Sequence, residues 1–195
     1  MQSILKSSHG FDLVPIESKL LSNRTIFIEG EINAEKACEF LREIMLLVSE
    51  DAEKSINLLV NSRGGEINAG FLIYDTIQSC KTPIKIFCVG QAYSMAAIIV
   101  ACGTHGRYIL PHSELMLHEP LIESQISGSN SSIQSIAKSL MKIKSKINGI
   151  LSKHTGKNEN EIEEATLYNH FFNAEECVAF GLVDKIVGLD KIMEG

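Results

Sequence analysis

Gly90-Gln-Ala-Tyr-Ser94-Met-Ala-Ala-Ile-Ile-Val-Ala-Cys-Gly103 follows the short apolar run Ile84-Lys-Ile-Phe-Cys-Val89. The run reads as a buried strand, and Met95 to Cys102 as a buried helix closed by Gly103. The chain is expected to turn on Gly90 between them. A strand, a tight turn, a serine and a helix together form a recipe for an activated nucleophile. The turn lifts the hydroxyl above a sheet, and the helix start supplies free backbone N–H groups and a positive dipole end. An oxyanion beside Ser94 would be stabilised most directly by the N–H of Met95. A simpler reading uses the same residues: serine is a favoured N-cap and could do no more than start the helix.

Outward from this stretch, strands and helices alternate. Thr25–Ile28 reads as a strand, and Asn33 as the cap of a helix to about Val48. The apolar face of that helix is Ala37, Phe40, Leu41, Ile44, Met45 and Val48. Ile56–Val60 is the next strand, Asn61–Gly65 the turn after it, and Ile67–Ser79 a helix that Pro83 stops. This alternation predicts right-handed crossovers and a mainly parallel α/β core sheet.

Beyond Gly103, Arg107–Leu110 and Glu114–His118 read as short strands, and residues 122–132 as an exposed connection or weak strand. A long helix over Ile133–His154 carries an apolar stripe too wide for its Ser- and Lys-rich setting, so part of it is expected to meet another subunit. A short acidic helix (159–165), a helix from Asn173 to Gly181 and a strand over Leu182–Val187 complete the chain. Residues 1–17 read as a mobile arm, with a short helical turn over Lys19–Arg24. With no repeat or linker, one domain over 1–195 is expected.

Composition excludes several classes. A net charge of -6 argues against nucleic acid or an anionic membrane as partner, and no apolar run approaches the ~20 residues of a membrane span. The first ten residues have no apolar core of a secretory signal. Five scattered cysteines without a C-x-x-C pair suit reduced thiols in a cytoplasm and offer no metal site.

Among six histidines, His118 stands out because it ends the run Leu115-Met-Leu at a strand terminus, where it could meet a serine on a neighbouring strand–helix turn. A satisfied, half-buried histidine is the competing reading. Gly64-Gly65 follows a strand at the ligand-binding rim of such sheets and could add a second oxyanion N–H, or be simply a turn.

With Asn61-Ser-Arg-Gly64-Gly65, Gly90-Gln-Ala-Tyr-Ser94-Met-Ala-Ala97, Met116-Leu-His118-Glu-Pro120, His154-Thr-Gly156 and Gly181-Leu-Val-Asp184 in this order, the chain resembles the proteolytic-subunit (ClpP) family of the Clp protease from about residue 18 onward. The resemblance implies a ClpP/crotonase-like fold with a protruding handle, a strand plus the long helix, over about 121–154. It implies a serine endopeptidase that assembles into seven-membered rings, singly or stacked, around its active sites. Unfolded proteins and peptides would be its substrates, delivered by a ring-capping AAA+ ATPase that alone uses ATP, so no cofactor is expected on this chain.

Carried over by position, Ser94 is the nucleophile, His118 the base, and Gly65 and Met95 the oxyanion donors. Gly64, Gly65, Glu66 and Ile67 on one side and Leu121 and Ile122 on the other would hold substrate as an added strand. The third triad position, an aspartate in the family, is Asn169 here. An amide can orient the histidine but cannot supply the negative charge that stabilises the imidazolium.

Further departures are Arg63 for the proline before the glycine pair, Leu167-Tyr168 for a charged ring-locking pair, and Asn57, Leu59 and Ser79 at the usual ATPase-docking pockets. The glycine-rich handle segment is replaced as well. These leave open a weakly active or regulatory subunit working with a second ClpP-like chain. A phage-type head-maturation protease and a crotonase-type acyl-CoA enzyme also stay open, since both share the fold.

Overall fold

The computed structural model describes residues 2–7, 10–122 and 127–193. Gln2–Ser7 (β1) and Gly10–Pro15 (β2) form an antiparallel hairpin where the sequence suggested an arm. Ile16–Ser22 (α1) follows, a helix somewhat earlier than the expected turn.

Three long parallel strands build the core: Thr25–Ile32 (β3), Ile56–Gly65 (β4) and Ile84–Tyr93 (β5). Each runs four or more residues past its apolar run. Asn61–Gly65 is therefore strand rather than turn: Gly64 and Gly65 pair with Glu31 and Ile32 after a register shift that absorbs one extra residue of β4. Likewise β5 does not turn at Gly90 but continues to Tyr93.

This length lets β5 serve two neighbours. Its first half, Ile86–Cys88, pairs with Arg107–Ile109 (β6), and its second half, Gln91–Tyr93, with Glu114–Leu117 (β7). His170–Phe172 (β8), a strand not expected from the sequence, pairs antiparallel with β7. Lys185–Ile186 (β9) closes the other edge on β6, much shorter than the strand expected over Leu182–Val187.

The crossover helices are Ala34–Glu50 (α2), Ile67–Ser79 (α3) and Met95–Ala101 (α4). Asn33 caps α2, its side chain accepting from Lys36 N at 3.0 Å. The helix buries Ala37, Phe40, Ile44 and Leu47, while Met45 is 63% exposed. Leu47, not Met45, completes the buried face. Every residue of α4 is buried.

Asn130–Thr155 (α5) is long and ends on Gly156 in a left-handed conformation. Its C-terminal half contributes Ile147, Ile150 and Leu151 to the core, while Ile133, Ile136 and Met141 of its N-terminal half are exposed. Of residues 122–132, read as an exposed connection or weak strand, 123–126 lie outside the described residues, 127–129 form no helix or strand and 130–132 already belong to α5, while Leu121 and Ile122 belong to no regular element.

Glu159–Thr166 (α6) and Ala174–Phe180 (α7) both start in capping boxes, on Asn158 and Asn173. A final helix, Leu189–Met193 (α8), was not expected. Its Ile192 packs with Leu59 and Phe87 on the far face of the sheet, and the Asn57 amide donates to Ile192 O at 3.1 Å. Asn57 and Leu59 are thus buried, while Ser79 is exposed.

Arg107 ties the helix ends together. One guanidinium nitrogen donates to Ala101 O, His154 O and Gly181 O at 3.2, 2.9 and 2.8 Å, closing α4, α5 and α7. The others engage Asp184, whose carboxyl the guanidinium holds below its usual range although burial opposes this.

Candidate active site

Ser94 sits between β5 and α4 at φ 55° and ψ -124°, a strained conformation for a residue with a Cβ. Backbone contacts enforce it. Ser94 N donates to Met116 O of β7 at 2.9 Å, and Ser94 O accepts from Ala97 N and Ile98 N at 3.0 and 3.3 Å. The serine side chain makes no capping bond, so it is not spent on the helix that follows.

Gly64 lies directly against this turn. A methyl group there would stand 2.6 Å from Tyr93 O and 2.8 Å from Ser94 Cβ, and at Gly65 one would stand 2.1 Å from Ile32 O. Both residues also have positive φ, 91° and 151°. Only glycine lets the end of β4 approach the serine this closely. Ser62 Oγ accepts from Gly64 N at 3.0 Å and donates to Gly30 O, fixing the same segment from below.

His118 follows β7 directly. Register places it beside the serine turn, because Tyr93 pairs with Met116, and opposite Asn169, because Leu117 pairs with His170. Ser94, His118 and Asn169 line one cleft of about 1220 Å³ together with Gly64, Gly65, Glu66, Ile67, Met95 and Leu121. Ile122, expected with them, does not line it.

Three features went unread in the sequence. Ile143, Ile147 and Leu151 of α5 form an apolar wall of the cleft; their four-residue spacing was the available signal. Tyr93, next to the serine, donates to the Glu114 carboxylate and meets Phe171 of β8 edge-on at 5.6 Å. Burial and that carboxylate push its phenol up to about 12. Arg63 also reaches the cleft.

The histidine is less well held than the serine. It is half-buried, and burial lowers its pKa, opposed by the adjacent Glu119. Its Nδ1 is buried and has no hydrogen-bond partner among the described residues. Asn169 is exposed, and among the described residues no bond joins its amide to Nδ1, nor Ser94 Oγ to the imidazole.

The remaining histidines stand elsewhere. His105 bonds to Thr104, His112 is exposed, and His9 lies outside the described residues. His154, in the last turn of α5, is pushed down to about 4, chiefly by burial and also by Lys153 and Arg107, and meets Tyr74 Oη at 3.2 Å. Among the described residues no group of three or more His, Cys, Asp or Glu could hold a metal ion, and no helix is long and apolar enough to cross a membrane.

A mainly parallel sheet with crossover helices, whose strand ends and long helix enclose one cleft, defines an α/β protein of the ClpP type. The family model described as Clp protease matches residues 8–190, and the chain belongs to the Clp protease family. That is a family of ClpP-type proteases, which generally form oligomeric rings and work with Clp ATPases.

Proposed function

We propose that the chain is the serine endopeptidase subunit of a self-compartmentalised Clp protease, cleaving unfolded proteins and peptides inside a ring chamber. One observation carries this reading: Ser94 is held in a strained turn with its hydroxyl uncommitted, in the same cleft as His118. Ser94 Oγ attacks the scissile carbonyl carbon while His118 takes the hydroxyl proton. The N–H groups of Gly65 and Met95 hold the resulting oxyanion. Collapse breaks the C–N bond, His118 returns the proton to the leaving amine, and water then releases the acyl group from Ser94 by the same steps. Gly64, Glu66 and Ile67 on one side, and Leu121 on the other, present backbone to an extended substrate.

Asn169 is the orienting residue in this proposal, its amide oxygen accepting from Nδ1–H once the two approach. The orphaned Nδ1 supports a second element: the chain alone is weakly active, and a ring partner, a second ClpP-like subunit, completes the site. Leu167 and Tyr168, 45% and 79% exposed beside Asn169, are apolar groups such a contact would cover. ATP is used by a partner AAA+ ATPase and not by this chain. Five free thiols suit a cytoplasmic setting.

Peptide hydrolysis by the purified chain, alone and with a candidate partner, tests the reading against Ser94→Ala and His118→Ala. Activity in the native form that both substitutions abolish is expected. Activity surviving either one overturns the assignment, and full activity with direct ATPase binding by the chain alone overturns the need for a partner.

A further inference from the structure

The residue after the proposed base is a glutamate, and the fold holds that glutamate away from it. β7 ends at Leu117, so His118, Glu119 and Pro120 leave the sheet together. On α5, beside the cleft-lining Ile143, Lys144 places its ammonium 3.1 Å from Glu119 Oε2 and 3.2 Å from Glu163 Oε1 of α6. The lysine side chain is only 24% exposed, and both carboxylates favour its charged form. An ion pair in open water contributes little, but one cation shared by two carboxylates at a half-covered site is a small network.

We infer that Lys144 is a positioning residue for the active-site histidine: by fastening Glu119 to α5 and α6 it keeps a carboxylate off the imidazole of His118 and sets the pH at which that ring is free to act as a base. The inference rests on reading His118 as the base.

The surrounding charges leave this role to Lys144. On β7, Glu114 is engaged by Tyr93 of β5. On β8, His170 is stacked on Phe172. From β4 and its exit, Arg63 and Glu66 line the same cleft, and from α6 Glu163 is held by the same lysine. Among the described residues Glu119 is the neighbouring charge that shifts the histidine, drawing its pKa upward against burial. A released carboxylate would favour the imidazolium further and could pair with it, since Nδ1 has no other partner among the described residues. An imidazolium cannot accept the serine proton.

The test compares the pH dependence of kcat/KM in the native assembly, Lys144→Met, Lys144→Arg and Glu119→Gln. Lys144→Met is expected to move the ascending limb upward by about half a pH unit, and Lys144→Arg to leave it in place. Glu119→Gln is expected to move it downward. A purely structural lysine would lower the plateau and leave the limb unmoved.

Titration of the His118 ring followed by NMR, with the same changes in a Ser94→Ala background, separates this inference from the base assignment. If the ring shifts and the rate limb does not, the coupling stands and His118 is not the base. If the ring does not shift, the inference is overturned. Should Lys144→Met fail to assemble, Glu119→Gln reads the same coupling with the cation in place, and a ring pKa unmoved there overturns it equally.

Discussion

The serine side of the cleft and the asparagine side are built to different standards. At Ser94 a strained backbone is fixed by Met116 O, by the first turn of a wholly buried helix and by a glycine pair that tolerates no side chain. At Asn169 the chain is exposed, enters a three-residue edge strand and reaches no partner on His118. Strain of about 1–3 kcal/mol persists only where the surroundings over-determine it. The serine side meets that requirement within one chain. The asparagine side does not, and Leu167, Tyr168 and Phe171 beside it are exposed.

Asn169→Asp should give the largest change. A carboxylate opposite His118 restores charge stabilisation of the imidazolium, and kcat/KM should rise by about 10- to 10⁴-fold, the upper end set by the reverse change in a well-studied serine protease. The same charge raises the histidine pKa, so the ascending limb of the pH–rate profile should move to higher pH. An unchanged rate in an intact assembly would mean that Asn169 does not orient the histidine.

Gly64→Ala attacks the well-built side. The added methyl group cannot avoid Tyr93 O and Ser94 Cβ, so the turn must shift, and a fall in kcat/KM of about 10²- to 10³-fold is expected with assembly mass retained. A rate within about threefold of native would show that this approach does not govern the serine.

Arg107→Met sharpens the contrast from outside the cleft, because it uncaps three helices without touching the site. Three carbonyls lose their donor and Asp184 keeps only the main-chain N–H of residue 107, and a loss of about 3 kcal/mol is expected by denaturant unfolding. No change in midpoint would sink that account.

The smallest effect concerns acid. His154 has a folded pKa of about 4, below its unfolded value near 6.5, so the unfolded chain binds more protons between those limits. Stability contributed by neutral His154 is present above pH 6.5 and is lost as pH falls toward 4. His154→Gln should flatten the decline in Tm over that window, and an identical decline would contradict it.

The same contrast governed what could be read from the sequence. The helices were legible because capping and apolar spacing are local: Asn33 and Asn173 act where they were expected to. Met45 was misplaced on the buried face, where Leu47 belongs, since neighbours three and four apart fit several faces of α2. The long strands were underread because Asn61–Gly65 and Gln91–Tyr93 are polar or small, and only the partner strand makes them extended. Those extensions carry the glycine pair to the serine, so the proximity of Gly64, Ser94 and His118 was suggested by motifs but created by pairing. β8 was missed because His-Phe-Phe has no periodicity of its own. Whether the Asn169 amide bonds to Nδ1 depends on side-chain placement, which residue types cannot express. The Lys144–Glu119 contact joins α5 to the strand exit across a long sequence separation, with no pattern in either segment to announce it.

The most direct test of the central claim is the residue acylated by a serine-directed probe in the native assembly, mapped by mass spectrometry with its rate followed against pH. The account predicts label on Ser94 alone, at a rate that rises with pH as His118 deprotonates and is faster in Asn169→Asp. Label on another residue, or a Ser94 rate unaffected by His118→Ala, would contradict it.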